Sequence, residues 1–130
     1  MKVTGTFTVK MAPLEAYATT QSPSTLGRMS LDKSFSGPLE ATSQGEMLTG
    51  MTAVKGSAGY VALEKVTGHL DGKSGSFLLQ HFGVMHDGDS RLILEVVPAS
   101  GSGELGKLAG EMAIRIEAGV HYYDLEYTLE

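Results

Sequence analysis

Apolar and polar residues alternate along most of the chain, with an apolar side chain at every second position. Successive side chains of a β-strand point to opposite faces, so this pattern predicts strands with one buried and one exposed face. The clearest alternation covers residues 2–11, 28–36, 91–96, 111–118 and 121–129. Three longer strands with weaker alternation are predicted at about 39–51, 57–69 and 73–87.

Short turn signals separate neighbouring strands. Asp71-Gly72 and Asp87-Gly88 are typical of two-residue hairpins of type I′, in which both central residues have positive φ. Gly37-Pro38 and Lys55-Gly56 mark two further turns. Connections this short join antiparallel neighbours, so we expect an antiparallel meander.

Helix signals are poor, and the chain therefore reads as an all-β protein. Residues 12–26 and 98–110 are predicted to be long loops, the second with one helical turn around Leu105 to Ala109. The first and last of the eight strands lie at the two ends of the chain, where each needs a partner to protect its edge. We therefore predict a single β-barrel domain over 1–130, a closed antiparallel eight-stranded barrel that is filled by side chains or holds one small ligand.

Composition excludes several classes of function. The chain has no Cys, which rules out disulfides, cysteine-ligated metals and a cysteine nucleophile. Its net charge is −5 and its basic residues form no cluster, so we expect no nucleic-acid partner. No stretch approaches the roughly 20 apolar residues of a membrane helix, and the N-terminus alternates where a signal peptide would be apolar. A cytoplasmic protein that does not bind membranes is the expectation.

The sequence contains no cofactor or metal motif in the structural context that such a motif needs. Gly101-Ser102-Gly103-Glu104-Leu105-Gly106 matches GxGxxG, but its neighbours are antiparallel strands and not a βαβ unit. Asp87-Gly88-Asp89 begins like a calcium loop but has Arg91 at the fifth position. The four His residues form no close ligand pair, so we predict no metal and no cofactor.

Two carboxylates interrupt mostly apolar strand segments. Glu64 shares a strand face with Tyr60, Glu46 lies on the strand before it, and Gln80 lies on the strand after it. If these faces line the barrel, the four residues form a polar cluster across adjacent strands, and a carboxyl group in an apolar cavity has a raised pKa suited to acid or base work. The alternative is that both Glu side chains face solvent, as most do. The periodicity does not decide which face of these strands points inward.

The fifth predicted strand is apolar on both faces, with Leu78, Phe82 and Val84 opposite Phe77 and Leu79. One face can fill the barrel, and the other needs a cover. A subunit interface is the simplest cover, so we expect a homo-oligomer; loop 12–26 folded over this face is the competing explanation.

The last strand places His121, Tyr123 and Tyr127 on its apolar face. Aromatic side chains with polar tips suit a ligand wall, and they equally suit a core in which their hydroxyls are bonded.

The middle of the chain resembles a known family. The residues concerned are Gly45-Glu46-Met47-Leu48-Thr49, Gly59-Tyr60-Val61-Ala62-Leu63-Glu64, the run from Asp71 through Gln80-His81, Val96-Val97-Pro98, and Gly101-Ser102-Gly103-Glu104-Leu105. They resemble bacterial domain-of-unknown-function family 3224, which is similar to the allene oxide cyclase-like barrels. The resemblance implies an eight-stranded barrel and no assigned activity. The cyclase relatives guide reactive small molecules in a barrel cavity, which is an argument from fold alone.

The sequence therefore favours a barrel that binds a mostly apolar small molecule in its interior. Two alternatives stay open: an isomerase or cyclase-like enzyme that uses an interior carboxylate as general acid or base, and a filled barrel that acts as an oligomeric scaffold. The candidate cavity residues are Glu46, Tyr60, Glu64, Gln80, His81 and Tyr123.

Overall fold

The computed structural model describes all residues, 1–130, and confirms a closed antiparallel barrel of eight strands in which each strand pairs with the next. The strands are β1 Lys2–Leu14, β2 Thr25–Ser36, β3 Leu39–Met51, β4 Ala58–Leu70, β5 Lys73–His86, β6 Asp89–Val96, β7 Ala109–Glu117 and β8 Val120–Thr128. A single 3₁₀ turn, Gly103–Leu105, precedes β7. No helix in the structure has the length and apolar character needed to cross a membrane.

The two terminal strands close the barrel, as the edge argument predicts. Residues Lys2 to Phe7 of β1 pair with β8, while Thr6 to Leu14 pair with β2. The seam between β6 and β7 is the thinnest, since only Glu95 and Glu111 pair across it.

The predicted hairpin turns adopt the backbone that their sequences require. Asp71 and Gly72 have φ of 49° and 82°, and Asp87 and Gly88 have φ of 50° and 80°. Positive φ at both central residues is the mark of a type I′ turn, whose twist matches that of the flanking strands. The sequence prediction is confirmed at both turns.

The two predicted loops are shorter than expected. Strand β1 continues to Leu14 and β2 begins at Thr25, so the first loop covers 15–24. Pro13 is accommodated in β1 because β8 pairs only as far as Phe7, which leaves Pro13 on an edge where its missing N–H is harmless.

The segment between β6 and β7 packs against β5. Ser102 donates its backbone N–H to Ser76 O at 2.8 Å, and Val97 does the same to Leu78 O at 2.9 Å. The helical turn lies at Gly103–Leu105, earlier than predicted, because it places Leu105 in the core at 1% exposure. The GxGxxG segment is thus part of the packing that closes one end of the barrel.

That closed end holds the hydrophobic core, in which Phe77, Leu79 and Leu125 are almost fully buried. Tyr123 is fully buried there, and its hydroxyl donates to Ser36 O at 3.0 Å and accepts from Leu39 N at 2.9 Å. The hydroxyl therefore fixes the turn between β2 and β3. With one end packed, any interior space lies toward the other end.

Candidate functional site

The other end of the barrel contains an open cavity of about 510 Å³. All the strands except β6 contribute to its wall, through side chains that point inward. The lining is mostly apolar, with four methionines and four aromatic or imidazole rings: Phe7, Val9, Met11, Leu31, Lys33, Met47, Thr49, Met51, Ala58, Gly59, Tyr60, His81, Met85, Ile114, Ile116 and His121. An apolar cavity of this size with few polar groups is the usual form of a small-molecule site.

A buried polar cluster lies at the inner end of this cavity. Glu64 Oε2 accepts hydrogen bonds from Lys33 Nζ at 2.8 Å and from His81 Nε2 at 2.5 Å, and Glu64 Oε1 accepts one from Ser43 Oγ at 2.6 Å. The side chain of Glu64 is fully buried, and those of Lys33 and His81 are 5% and 4% exposed. We call these four residues the Glu64 cluster. Lys33 and His81 are the two members that reach the cavity wall.

The cluster keeps Glu64 ionised. Burial by itself raises the pKa of a carboxyl group, but the hydrogen bonds from His81, Lys33 and Ser43 and the positive charge of Lys33 outweigh it. They lower the pKa of Glu64 from 4.5 to about 2. A buried carboxylate with three donors and one adjacent cation is a satisfied group, and no buried side-chain nitrogen or oxygen of the chain lacks a hydrogen-bond partner.

Strand register explains how Lys33, Ser43 and Glu64 come together from the three neighbouring strands β2, β3 and β4. Leu31 lies opposite Gly45, which in turn lies opposite Glu64, while Lys33 lies opposite Ser43 on the next inward row. A side chain at position 45 would place its Cβ 2.1 Å from a backbone oxygen of β4 and 2.6 Å from the Cα of Glu64. Glycine at this position lets β3 and β4 approach closely between the lysine and the carboxylate.

Tyr60 stands beside the cluster on the cavity wall. It lies opposite Gly83, and its ring occupies the space that a Cβ at Gly83 would need, 2.3 Å from Tyr60 Cε1. The rings of Tyr60 and His81 have their centroids 6.3 Å apart. Burial raises the pKa of the Tyr60 hydroxyl, and the negative charge of Glu64 raises it further. Tyr60 therefore faces the cavity as a protonated phenol.

Comparison with known proteins shows to which family the chain belongs. The sequence model of the family described as "Protein of unknown function (DUF3224)" matches residues 3–127. The chain belongs to the DUF3224 family. It is similar to a protein of unknown function from this family in Shewanella oneidensis MR-1, whose crystal structure is known. The two are 62% identical over 100% of this chain and 97% of the other, with a TM-score of 0.97. No curated protein matches the chain.

Three of the six candidate residues meet in this DUF3224 barrel. Tyr60, Glu64 and His81 point inward: Tyr60 and His81 line the cavity, and Glu64 lies behind the wall, where it bonds His81. The predicted inclusion of Glu46 and Gln80 is wrong, because both lie on the outer face of their strands and are exposed. Glu46 forms an exposed ion pair with Arg28 at 2.6 Å. Strand side chains alternate, so Glu46 and Glu64, which lie in consecutive cross-strand rows, point to opposite sides of the sheet.

The sixth candidate, Tyr123, lies in the packed end and is absent from the cavity wall. The sequence left two interpretations of this residue, a ligand wall and a core residue with a bonded hydroxyl, and the structure agrees with the second. The sequence reasoning did not single out Lys33 or Ser43, although Lys33 falls on an apolar strand face. The signal that could have revealed Lys33 is a lysine on an otherwise apolar strand face, since a buried ammonium group requires a carboxylate partner.

Two further expectations for the site are corrected. The pKa of Glu64 is lowered and not raised, because its three donors outweigh its burial. A filled barrel does not describe this DUF3224 structure, since the open end holds about 510 Å³ of free volume.

Proposed function

We propose that the barrel binds a mostly apolar small molecule whose single polar group lies against Lys33 and His81. The observation that carries this proposal is the combination of an apolar cavity of about 510 Å³ with two polar side chains at its inner end. The resemblance to allene oxide cyclase-like barrels, which guide small molecules in a barrel cavity, supports the proposal by fold alone.

The chemistry of the wall supports an apolar ligand. Side chains of Met11, Met47, Met51 and Met85 line the cavity together with leucine, isoleucine and valine. Methionine is flexible and polarisable, so it adapts its shape to an irregular apolar surface. Removing such surface from water contributes about 25 cal/mol per Å² of apolar area buried. A ligand that fills the cavity therefore gains affinity from the wall and orientation from the inner end.

The polar end of the ligand should accept hydrogen bonds. Lys33 Nζ has three N–H donors and uses one for Glu64, so the others can donate to an oxygen atom in the cavity. A carbonyl or hydroxyl oxygen at the end of an apolar body fits this arrangement. A hydrocarbon without such an atom would leave the ammonium group unsolvated, which disfavours binding.

Native mass spectrometry of the protein purified from the organism that makes it tests this function. We expect one stoichiometric added mass per chain, which then identifies the ligand. Thr49→Phe places a ring in the cavity and should abolish the adduct. Thr42→Phe makes the same change on the exposed face of the same strand and should retain it. An adduct that persists in Thr49→Phe, or a chain that carries no added mass, would count against the proposal.

A second proposal concerns the outer wall. Leu48, Val61, Phe82 and Ile93 form one cross-strand row from β3 to β6, and each is between 40% and 57% exposed. Because these side chains are exposed, the first loop, residues 15–24, does not cover them. A row of adjacent exposed apolar side chains is typical of an interface, so we propose that copies of the chain associate through it.

Sedimentation at micromolar concentration tests this association. The chain should sediment as an oligomer, and Val61→Glu should convert it to a monomer because the substitution buries a charge at the interface. Thr42→Glu, on the outer face of β3, is the matched control and should remain an oligomer. A monomeric wild-type chain would contradict the proposal.

A further inference from the structure

His81 presents an unusual pair of environments to its two ring nitrogens. Nε2 lies 2.5 Å from Glu64 Oε2, and an ionised carboxylate can only accept, so Nε2 carries the hydrogen. Nδ1 makes no hydrogen bond to the protein. Since every buried side-chain nitrogen of the chain has a partner, Nδ1 is accessible, and it opens to the cavity that His81 lines. In the neutral ring, Nδ1 therefore offers a lone pair to a molecule in the cavity. A histidine held at one nitrogen by a carboxylate is the arrangement of an oriented general base.

A cation stands beside this base. Lys33 Nζ bonds the same carboxylate oxygen as His81, at 2.8 Å, so the ammonium and the imidazole lie side by side at the inner end of the cavity. An ammonium group in a largely apolar site stabilises negative charge that develops on a nearby oxygen. Base and cation can thus act on one small molecule at the same time.

The other polar groups around His81 are less suited to this role, because none of them is both oriented by a carboxylate and open to the cavity. Tyr60 on β4 has a raised pKa and stays a neutral phenol, and Ser43 on β3 is bonded to Glu64. His121 on β8 lines the cavity but makes its ring contact with Phe7, at 5.2 Å between centroids. On β6 the residue opposite His81 is the apolar Leu94.

We propose that the cavity catalyses proton transfer at the carbon next to a carbonyl group of an apolar ketone or aldehyde, with His81 as the base and Lys33 as the partner of the carbonyl oxygen. This inference rests on the proposed function, because the substrate must first enter the cavity. His81 Nδ1 takes the proton, the electron pair of the C–H bond forms a C=C bond, and the carbonyl π pair moves to the oxygen beside Lys33. Return of the proton to the same carbon regenerates the ketone. When the carbon next to the carbonyl also adjoins a C=C bond, return of the proton to the far carbon of that bond gives an isomer in which the double bond is conjugated with the carbonyl.

Deuterium exchange into 1-indanone, a small apolar ketone, tests this step. Loss of its proton signal next to the carbonyl is followed by NMR in D₂O, and saturation transfer from the protein shows that the ketone is bound. We expect wild-type chain to accelerate the exchange and His81→Gln to reduce the acceleration about 100-fold or more, since a positioned base contributes about 10²–10⁴-fold. His86→Gln is the matched control. It makes the same change on the same strand at the exposed His86–Asp87 pair, where the two side chains are 3.1 Å apart, and should not alter the rate.

The pH profile of wild-type chain gives a second readout that does not depend on a variant that folds. The rate should fall when acid protonates the base, because only an unprotonated nitrogen can accept the substrate proton. If Glu64 were the base, the rate would be flat above about pH 4, because its pKa is about 2.

Three results would overturn the inference. Saturation transfer without exchange refutes the base and leaves the proposed ligand binding intact. Exchange that survives in His81→Gln but is lost in His121→Gln moves the base to β8. A ketone that neither binds nor exchanges contradicts the inference and the proposed function together.

Discussion

Replacement of Glu64 by glutamine removes the one negative charge of the Glu64 cluster and leaves Lys33 without its counter-ion. Lys33 is only 7% exposed, so its ammonium group is largely shielded from bulk water. Removing one partner of a buried ion pair typically destabilises a protein by about 3–5 kcal/mol. The fall in the pKa of Glu64 from 4.5 to about 2 gives an independent figure of about 3 kcal/mol. We therefore expect Glu64→Gln to lower the free energy of unfolding by about 3 kcal/mol or more at pH 7.

The same reasoning fixes the sign of the pH dependence. Folding lowers the pKa of Glu64, so its stabilising contribution is complete above the ordinary value of 4.5 and is lost as the pH falls toward about 2. Wild-type chain should lose this contribution between those values. Glu64→Gln should show a correspondingly smaller loss over the same range, because the group that titrates is absent.

Urea unfolding followed by far-ultraviolet circular dichroism measures both effects. Glu46→Gln is the matched control, since Glu46 pairs with Arg28 on the surface, where its side chain is 56% exposed. Exposed pairs of this kind contribute about 0–1 kcal/mol. Equal unfolding free energies for the two variants would refute the argument that the Glu64 cluster is a buried, interdependent unit.

Three further measurements test other parts of the structure. Tyr123→Phe removes the hydroxyl that bonds the β2–β3 turn and should lower the free energy of unfolding by about 1–3 kcal/mol in the same urea assay. Tyr122→Phe is the control and should change it little, because the Tyr122 hydroxyl makes no hydrogen bond to the protein. Gly45→Ala should lower the melting temperature strongly, because its Cβ would lie 2.1 Å from a backbone oxygen, whereas Gly50→Ala on the same strand meets nothing closer than 3.9 Å. Burial and the neighbouring Asp71 raise the pKa of Tyr127 to about 12, and the pKa values of Tyr60 and Tyr123 are also raised. An ultraviolet titration should therefore show a late tyrosine signal that becomes smaller by one tyrosine in Tyr127→Phe.

The fold could be predicted from the sequence because its signals are local. Alternation marks the buried face of β1, β7 and β8 within each strand, and the Asp-Gly dipeptides mark the hairpins without reference to anything distant. The closure of β1 on β8 then followed from the need to protect two edges. The ends of β1 and β2 were missed because their pairing depends on the partner strand and not on alternation.

The site could be predicted only in part because its decisive facts are pairings between strands. Both Glu46 and Glu64 interrupt weakly alternating segments, and only the register shows that Glu64 lies behind Gly45 and points inward. The lowered pKa of Glu64 depends on Lys33, which is 31 residues away in the sequence. No spacing rule connects two residues of a sheet that are separated by an intervening strand.

The central claim is that the open end of the barrel receives an apolar molecule with one polar end. Titration with the neutral fluorescent reporter 6-propionyl-2-(dimethylamino)naphthalene, a ketone whose carbonyl oxygen can accept a hydrogen bond, tests it most directly. Wild-type chain and Thr42→Phe should each bind one reporter per chain with a rise in fluorescence, and Thr49→Phe should bind none, because Thr49 lines the cavity and Thr42 faces outward. Equal binding by all three proteins, or no binding by wild-type chain, would contradict the account.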